Sequence, residues 1–346
     1  MTGQPSAYGA AGVDIDAKYR AVADARDAIR STFTKGVLGD VGMFGGLFDL
    51  RLAGAEGEVL VASTDGVGTK VKVAQMAGDL STVGEDLVNH CVDDILVQGA
   101  RPLFFLDYVA TGKMVPQRVT QAIVGVARAC RENGCALLGG ETAEMPGVYV
   151  EGEIDVAGTI VGSVARDKLL DGTRVRAGQV LLALPSTGLH TNGYSLARRI
   201  CFEQLGLRLD DRPDELGGQT VGQALLAVHK SYLRAVWPLL QDDLIAAMAH
   251  ITGGGLYDNV PRVLPAGTAV EIERSALPAP PIFAFLVERG GVAREEAYRV
   301  FNMGFGMVLF VERESADEVV RRLAAQGEPC YRVGQVVRGD REVSLR

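Results

Sequence analysis

Short apolar runs that each stop at a glycine or an acid constrain this chain more than any other feature. Val59-Leu60-Val61-Ala62 leads into "STDGVGTK" (63–70). "PLFFLDYVA" (102–110), "CALLGG" (135–140) and "DVAGTIVGSVA" (155–165) follow. Apolar runs bounded by turn residues are strands, and 102–110 reads as a buried one. Helical periods lie between them. Leu87, Val88, Cys91, Val92, Ile95 and Leu96 recur at i, i+4 and i+8, which predicts a helix over 84–98 with Gly99 as its stop. Val119 to Glu132 reads as another helix, ended by Asn133-Gly134. "RDKLLDGTRVRAG" (166–178) marks a junction. A second series follows: a strand over 179–185, a helix over 195–205, a helical region over 222–240, a strand running into a glycine turn over 246–255, and late strands over 304–311 and 331–337. Strands alternating with helices in both halves predict two α/β domains, over 59–166 and 167–346. Residues 1–58 differ. A helical stretch, Asp16 to Arg30, runs into the glycine-punctuated "KGVLGDVGMFGG", a segment expected to be mobile and to close over a ligand.

Composition narrows the class. With 47% hydrophobic and 23% charged residues, the chain is an ordinary globular one. The formal net charge is −8 with no long basic run, which argues against nonspecific nucleic-acid binding. An anionic ligand then needs local donors, a divalent metal, or both. The five cysteines include no C-x-x-C pair and read as small buried apolar residues in a reducing compartment. No apolar stretch reaches the roughly 18 residues of a membrane span. The first residues lack a signal-peptide core, so a cytoplasmic location is expected.

The motifs exclude before they identify. There is no G-x-x-x-x-G-K-[ST] and no G-x-G-x-x-G, so neither a P-loop nor a Rossmann dinucleotide site is supported. Four histidines without H-E-x-x-H argue against a zinc site. Asp65 stands at the carboxyl end of a predicted strand, where α/β folds place ligands. A plain turn aspartate before glycine explains it as well. Asp93 and Asp94 fall on the polar side of the 84–98 helix. Adjacent helical residues point about 100° apart, so one faces a site while the other faces solvent, unless the whole face is solvated. Glu141 repeats the Asp65 pattern of strand, tight backbone and acid, behind Gly139 and Gly140. Three acids in such settings suit Mg²⁺, which takes carboxylates plus substrate phosphates. "STGLHTNGYSLARR" (186–199) sets His190 and Asn192 just before a helix N-terminus, a place that suits an anion. His190 there donates to phosphate or moves a proton, or is a loop histidine without a task. "HITGGGLYDN" (250–259) lets backbone approach a ligand closely, or simply turns.

No motif decides alone; their order does. "GVDID" (12–16), "STDGVGTK", "CVDDILVQGARPLFFLDYVATGK" (91–113), "GGETAEMPG" (139–147), "DVAG" (155–158), "HTNGYSLAR" (190–198), "HITGGGLYDNVPRVLP" (250–265) and "FNMGFGM" (301–307) together resemble the phosphoribosylformylglycinamidine cyclo-ligases, the aminoimidazole ribonucleotide synthetases, over almost the whole chain. The resemblance implies ATP-dependent ring closure of formylglycinamidine ribonucleotide in purine biosynthesis. It implies a fold shared with formylglycinamidine synthetase, selenophosphate synthetase and thiamine-monophosphate kinase. It also implies a homodimer joined through the N-terminal sheets, with ATP held between those sheets and the N-terminal segment. Carried over by motif, Asp65, Asp94 and Glu141 would serve Mg²⁺ and ATP. Gly66, Gly68, Thr69, Lys70, Gly139 and Gly140 would line the nucleotide, and His190 and Asn192, with Asp65, would stand near the reacting groups. The chain departs from the family pattern in places. Asp93-Asp94 replaces a common Asn-Asp, which favours Asp94 as the working acid. The usual phosphate lysine matches Arg26, with Lys35 nearby, so that contact stays open. Leu189 and Thr191 flank His190 where proline and serine are more common. Three rivals remain. Formylglycinamidine synthesis would need a glutaminase, and none is visible. Selenophosphate synthesis usually carries a cysteine in a glycine-rich loop, and residues 31–58 have none. A non-catalytic nucleotide-binding paralogue is the third.

Overall fold

The structure, a computed structural model, describes residues 38–39, 46–49, 51–52 and 57–346. Nearly all of the expected covering segment, with Arg26 and Lys35, lies outside the described residues.

The first sheet has five strands in the order β1-β2-β5-β3-β4. They are β1 (Gly46–Asp49), β2 (Val59–Gly66), β3 (Arg101–Thr111), β4 (Ala136–Glu144) and β5 (Ile154–Val164). Only β3 and β4 pair in parallel. One face is covered by α2 (Ser81–Leu96) and α3 (Pro116–Glu132), which follow the short α1 (Lys70–Ala77). Side chains alternate across a strand. Val59, Val61 and Ser63 of β2 and Val156 and Ile160 of β5 are accordingly buried on the helix side. Among the described residues no element covers the other face. On it and at its edge Leu103, Leu106 and Leu138 are exposed, so 102–110 is not the wholly buried strand its apolar content suggests.

The second sheet has the order β11-β8-β10-β6-β9-β7. Its strands are β6 (Val180–Pro185), β7 (Ala247–His250), β8 (Thr268–Ile272), β9 (Phe305–Val311), β10 (Tyr331–Arg338) and β11 (Val343–Leu345). Only β11 and β8 run parallel. The alternation of elements along the chain thus yields two mixed, mainly antiparallel α/β layers. β6 and β9 are buried along almost their whole length, which explains their unbroken apolar sequence. The 195–205 helix is a short α4 (Tyr194–Arg198) passing into a π turn, Arg199–Gln204. The helical region over 222–240 divides into α5 (Val221–Leu225) and α6 (Leu233–Gln241), and the break carries His229.

The α2 helix ties the layers together. Its Leu96 and Val97 join a core with Leu182, Leu184, Tyr232 and Leu239 of the second half. Full burial of each such leucine is worth about 1.5–3 kcal/mol. Both faces of α2 are therefore covered, and Asp86, Asn89, His90, Asp93 and Asp94 are all buried on it.

Candidate active site at the domain seam

Asp93 and Asp94 do not divide between site and solvent as a surface helix would require. The second half of the chain caps the side of α2 that looks polar in sequence. Asp93 is fully buried; its Oδ1 accepts the Tyr232 N–H at 2.9 Å. Its Oδ2 has no hydrogen-bond partner, and burial pushes its pKa well above the usual carboxylate value. Asp94 reaches both halves. Oδ2 accepts the Ser63 hydroxyl at 3.0 Å, and Oδ1 meets His250 Nδ1 at 2.9 Å.

All four histidines of the chain gather here. His90 Nε2 lies 2.7 Å from Asp65 Oδ2 and 3.7 Å from Asp94 Oδ2. Its Nδ1 lies 2.6 Å from Thr191 Oγ1. Burial alone would lower the His90 pKa, but the charges of Asp65 and Asp94 outweigh it and raise it to about 9. His229 Nε2 stands 3.1 Å from His250 Nε2. Burial, with neighbouring histidines of like charge, holds His190 and His229 well below their usual pKa, so both are neutral.

His190 itself has φ of 61° and is buried. The Thr187 N–H, which can only donate, faces its Nε2 at 3.3 Å. The neutral ring therefore carries its proton on Nδ1, and that buried N–H has no partner. Asn192 is half-buried beside it, and a methyl on Gly253 would press on its amide oxygen. The two quoted loops, 190–198 and 250–259, are thus packed against each other.

Other expected residues fall elsewhere. Lys70 does not face the loop mouth. Its ammonium is fully buried, 2.8 Å from Asp86 Oδ1 and 2.7 Å from the Ala227 carbonyl. An ion pair so placed leaves no charge for a phosphate. Gly66 ends β2, while Gly68, at φ 67°, and Thr69 are exposed. Gly139 and Gly140 are exposed on β4, and a methyl on Gly140 would collide with the Asp107 carboxylate. That glycine follows from its own sheet. Glu141 does not join Asp65 and Asp94. Across the sheet Asp65 shares a row with Gly158, Asp107 and Gly140, while Glu141 shares the next row with Tyr108, Ala157 and Gly66. Successive rows face opposite sides, and three strand spacings are roughly 14 Å. The three acids do not form one metal site within a chain.

Sequence reasoning passed over His90, His229 and His250. His90 is four residues before Asp94, one helical turn away, and that spacing was the available signal. His229 carries none, because it sits in a break between helices.

Known proteins resemble this chain along its full length. The profile of the AIR synthase related protein, N-terminal domain, matches residues 45–164, and that of the AIR synthase related protein, C-terminal domain, matches 176–345. The phosphoribosylformylglycinamidine cyclo-ligase of Geobacillus thermodenitrificans is 50% identical over 333 residues, 96% of each chain. That of Alkaliphilus metalliredigens is 46% identical over 338 residues, 98% of this chain and 97% of its own. Among solved structures, thiamine-monophosphate kinase from Stenotrophomonas maltophilia superposes with a TM-score of 0.64 at 18% identity, covering 94% of this chain and 95% of its own, a likeness of fold. With two profiles spanning both sheets and relatives near half-identical end to end, the chain belongs to the phosphoribosylformylglycinamidine cyclo-ligase family.

Proposed function

We propose that this protein closes the imidazole ring of 5-aminoimidazole ribonucleotide from formylglycinamidine ribonucleotide, with ATP converted to ADP and phosphate. The observation that carries the reading is the end-to-end identity with cyclo-ligases. An amide oxygen is a poor leaving group. Transfer of the γ-phosphoryl group to it makes an imidoyl phosphate. The tethered nitrogen attacks that carbon, the C–O bond breaks, phosphate departs, and the nitrogen loses a proton as the ring closes. The protein's part is positioning and charge stabilisation, since the nucleophile is already attached. His190 offers a neutral Nδ1–H with no internal partner, a donor for a substrate oxygen in a buried site. Asn192 supplies an amide next to it. Asp65, half-exposed near the end of β2, stands beside His90.

Mg²⁺ is the ion the family reading brings with ATP. The Asp65–Asp94–Glu141 set does not fit it as one site, because Glu141 lies on the opposite face of the sheet. ATP phosphates carrying their own Mg²⁺ need only one protein carboxylate, and Asp65 is the exposed one. No helix among the described residues is long and apolar enough to cross a membrane, and we place the reaction in the cytoplasm.

The test is direct. Purified protein given ATP, Mg²⁺ and formylglycinamidine ribonucleotide is expected to form ADP, phosphate and aminoimidazole ribonucleotide in equal amounts without glutamine. Turnover with selenide or thiamine monophosphate, and none with the formylglycinamidine, overturns the reading.

A further inference from the structure

We propose that the domain seam binds a divalent transition-metal ion through His90, Asp94 and His250. His90, Asp94 and His250 each present a ligand atom within 4.8 Å of the other two, and all three are buried. The nearest separations are 2.9 Å from His250 Nδ1 to Asp94 Oδ1 and 3.7 Å from His90 Nε2 to Asp94 Oδ2. Donors on one first-row ion, at bonds of about 2.0–2.2 Å, sit roughly 3–3.5 Å apart. With all three ligand atoms within 4.8 Å of one another, a modest closing of the trio admits the ion. The rings of His90 and His250 meet edge-on, at 73° and 5.2 Å between centroids, so their in-plane lone pairs can converge.

A second trio, His190, His229 and His250, is as compact but does not fit. His190 and His229 are stacked at 4.0 Å and 19°. Lone pairs of parallel rings run side by side and miss a common point.

The surroundings hold the chosen ligands by their other nitrogens. His90 Nδ1 reaches Thr191 Oγ1, and His250 Nε2 reaches His229 Nε2. His229 Nδ1 in turn lies 3.4 Å from the same Thr191 oxygen. Such outer partners fix the tautomer and aim of a metal-bound imidazole. A donor set of two imidazoles and one carboxylate favours ions of the Mn²⁺ to Zn²⁺ series over Mg²⁺, which prefers oxygen alone. Asp65, 2.7 Å from His90 Nε2, has a side chain 43% exposed, so the site adjoins solvent on that side. Scarcity of histidine argued against zinc in the sequence, but that argument fails once every histidine is in one place.

Co²⁺ is the probe, applied to chelator-stripped full-length protein without substrate. The expected result is saturable uptake of one Co²⁺ per chain, with the visible absorption of a four- or five-coordinate ion, displacement by Zn²⁺, and none by millimolar Mg²⁺. H90Q is expected to weaken Co²⁺ binding more than a hundredfold. H229Q is expected to weaken it about 10–100-fold with the spectrum unchanged. No saturable uptake, equal uptake by H90Q, or collapse of the spectrum in H229Q overturns the site. Wild-type protein gives an independent reading that needs no variant to fold. Proton resonance of the Co²⁺ form is expected to show two strongly shifted imidazole N–H signals, from His90 and His250, whereas three overturn the assignment. Because binding is measured without turnover, loss of the ring-closure reading would leave the site standing, and the reverse holds.

Discussion

Three buried charges at the seam make separable predictions. The His90 imidazolium is favoured by the fold, since its pKa rises from 6.5 to about 9. A raised pKa stabilises the folded state fully below the unfolded value and loses that contribution as pH climbs through the folded one. Thermal melts of metal-free protein are therefore expected to fall from about pH 6.5 to about 9, and H90Q is expected to flatten that slope. A slope unchanged in H90Q would place the titration elsewhere. Lys70 and Asp86 are both fully buried; burial pushes the ammonium down and the carboxyl up, and each charge opposes the other's shift. Asp86→Ala alone is expected to cost about 3–5 kcal/mol, because it strands the ammonium. K70M combined with D86L is expected to recover much of that in urea unfolding, less the loss of the Asp86 bond to the His229 N–H. A double variant no better than the single would show that the charge pair does not dominate.

Glycines govern how α2 meets α3, and apolar patterning did not reveal it. A methyl on Gly125 would overlap the Ser81 carbonyl, and one on Gly84 would overlap the Ala122 carbonyl. Backbone cannot yield as a side chain can. Gly125→Ala is therefore expected to destabilise by about 1–3 kcal/mol in chemical denaturation, despite the better helix propensity of alanine. A neutral or stabilising result would mean the helices slide apart at little cost. At this scale the sequence was legible where periodicity was strong. The strands over 59–66, 154–164, 180–185 and 305–311 and the existence of α2 and α3 were all visible. What escaped was set by long-range contacts. The break between α5 and α6 places the His229 N–H on Asp86 and the Tyr232 N–H on Asp93, bonds to residues more than a hundred positions away. The short β8 and β11 lack the length for a distinct pattern, and pairing with β10 and with each other defines them.

At the scale of the molecule, the open face of the first sheet asks for a cover. Leu106 is 38% exposed and Leu138, at a register shift on the outermost strand, is 64% exposed. The family reading supplies a second copy of this chain, joined sheet to sheet. Sedimentation at micromolar concentration is expected to give a dimer, and L106R with L138E is expected to give a monomer. A wild-type monomer at that concentration would refute the assembly. The site itself was half legible at this scale. Asp65, Asp94, His190 and Asn192 were named from motifs and do lie along the seam; Lys70 lies there too, but its charge is taken up by Asp86 and the Ala227 carbonyl, and Glu141 does not. Motif order identifies which loops matter, but which way a side chain turns depends on the half of the chain folded against it. The gathering of every histidine into that seam has one more consequence. The ring protons of imidazole resonate apart from most others, and this protein has no imidazole anywhere else to contribute background. Its histidine spectrum is thus a built-in gauge of how the two halves sit together, readable in the purified protein without any label.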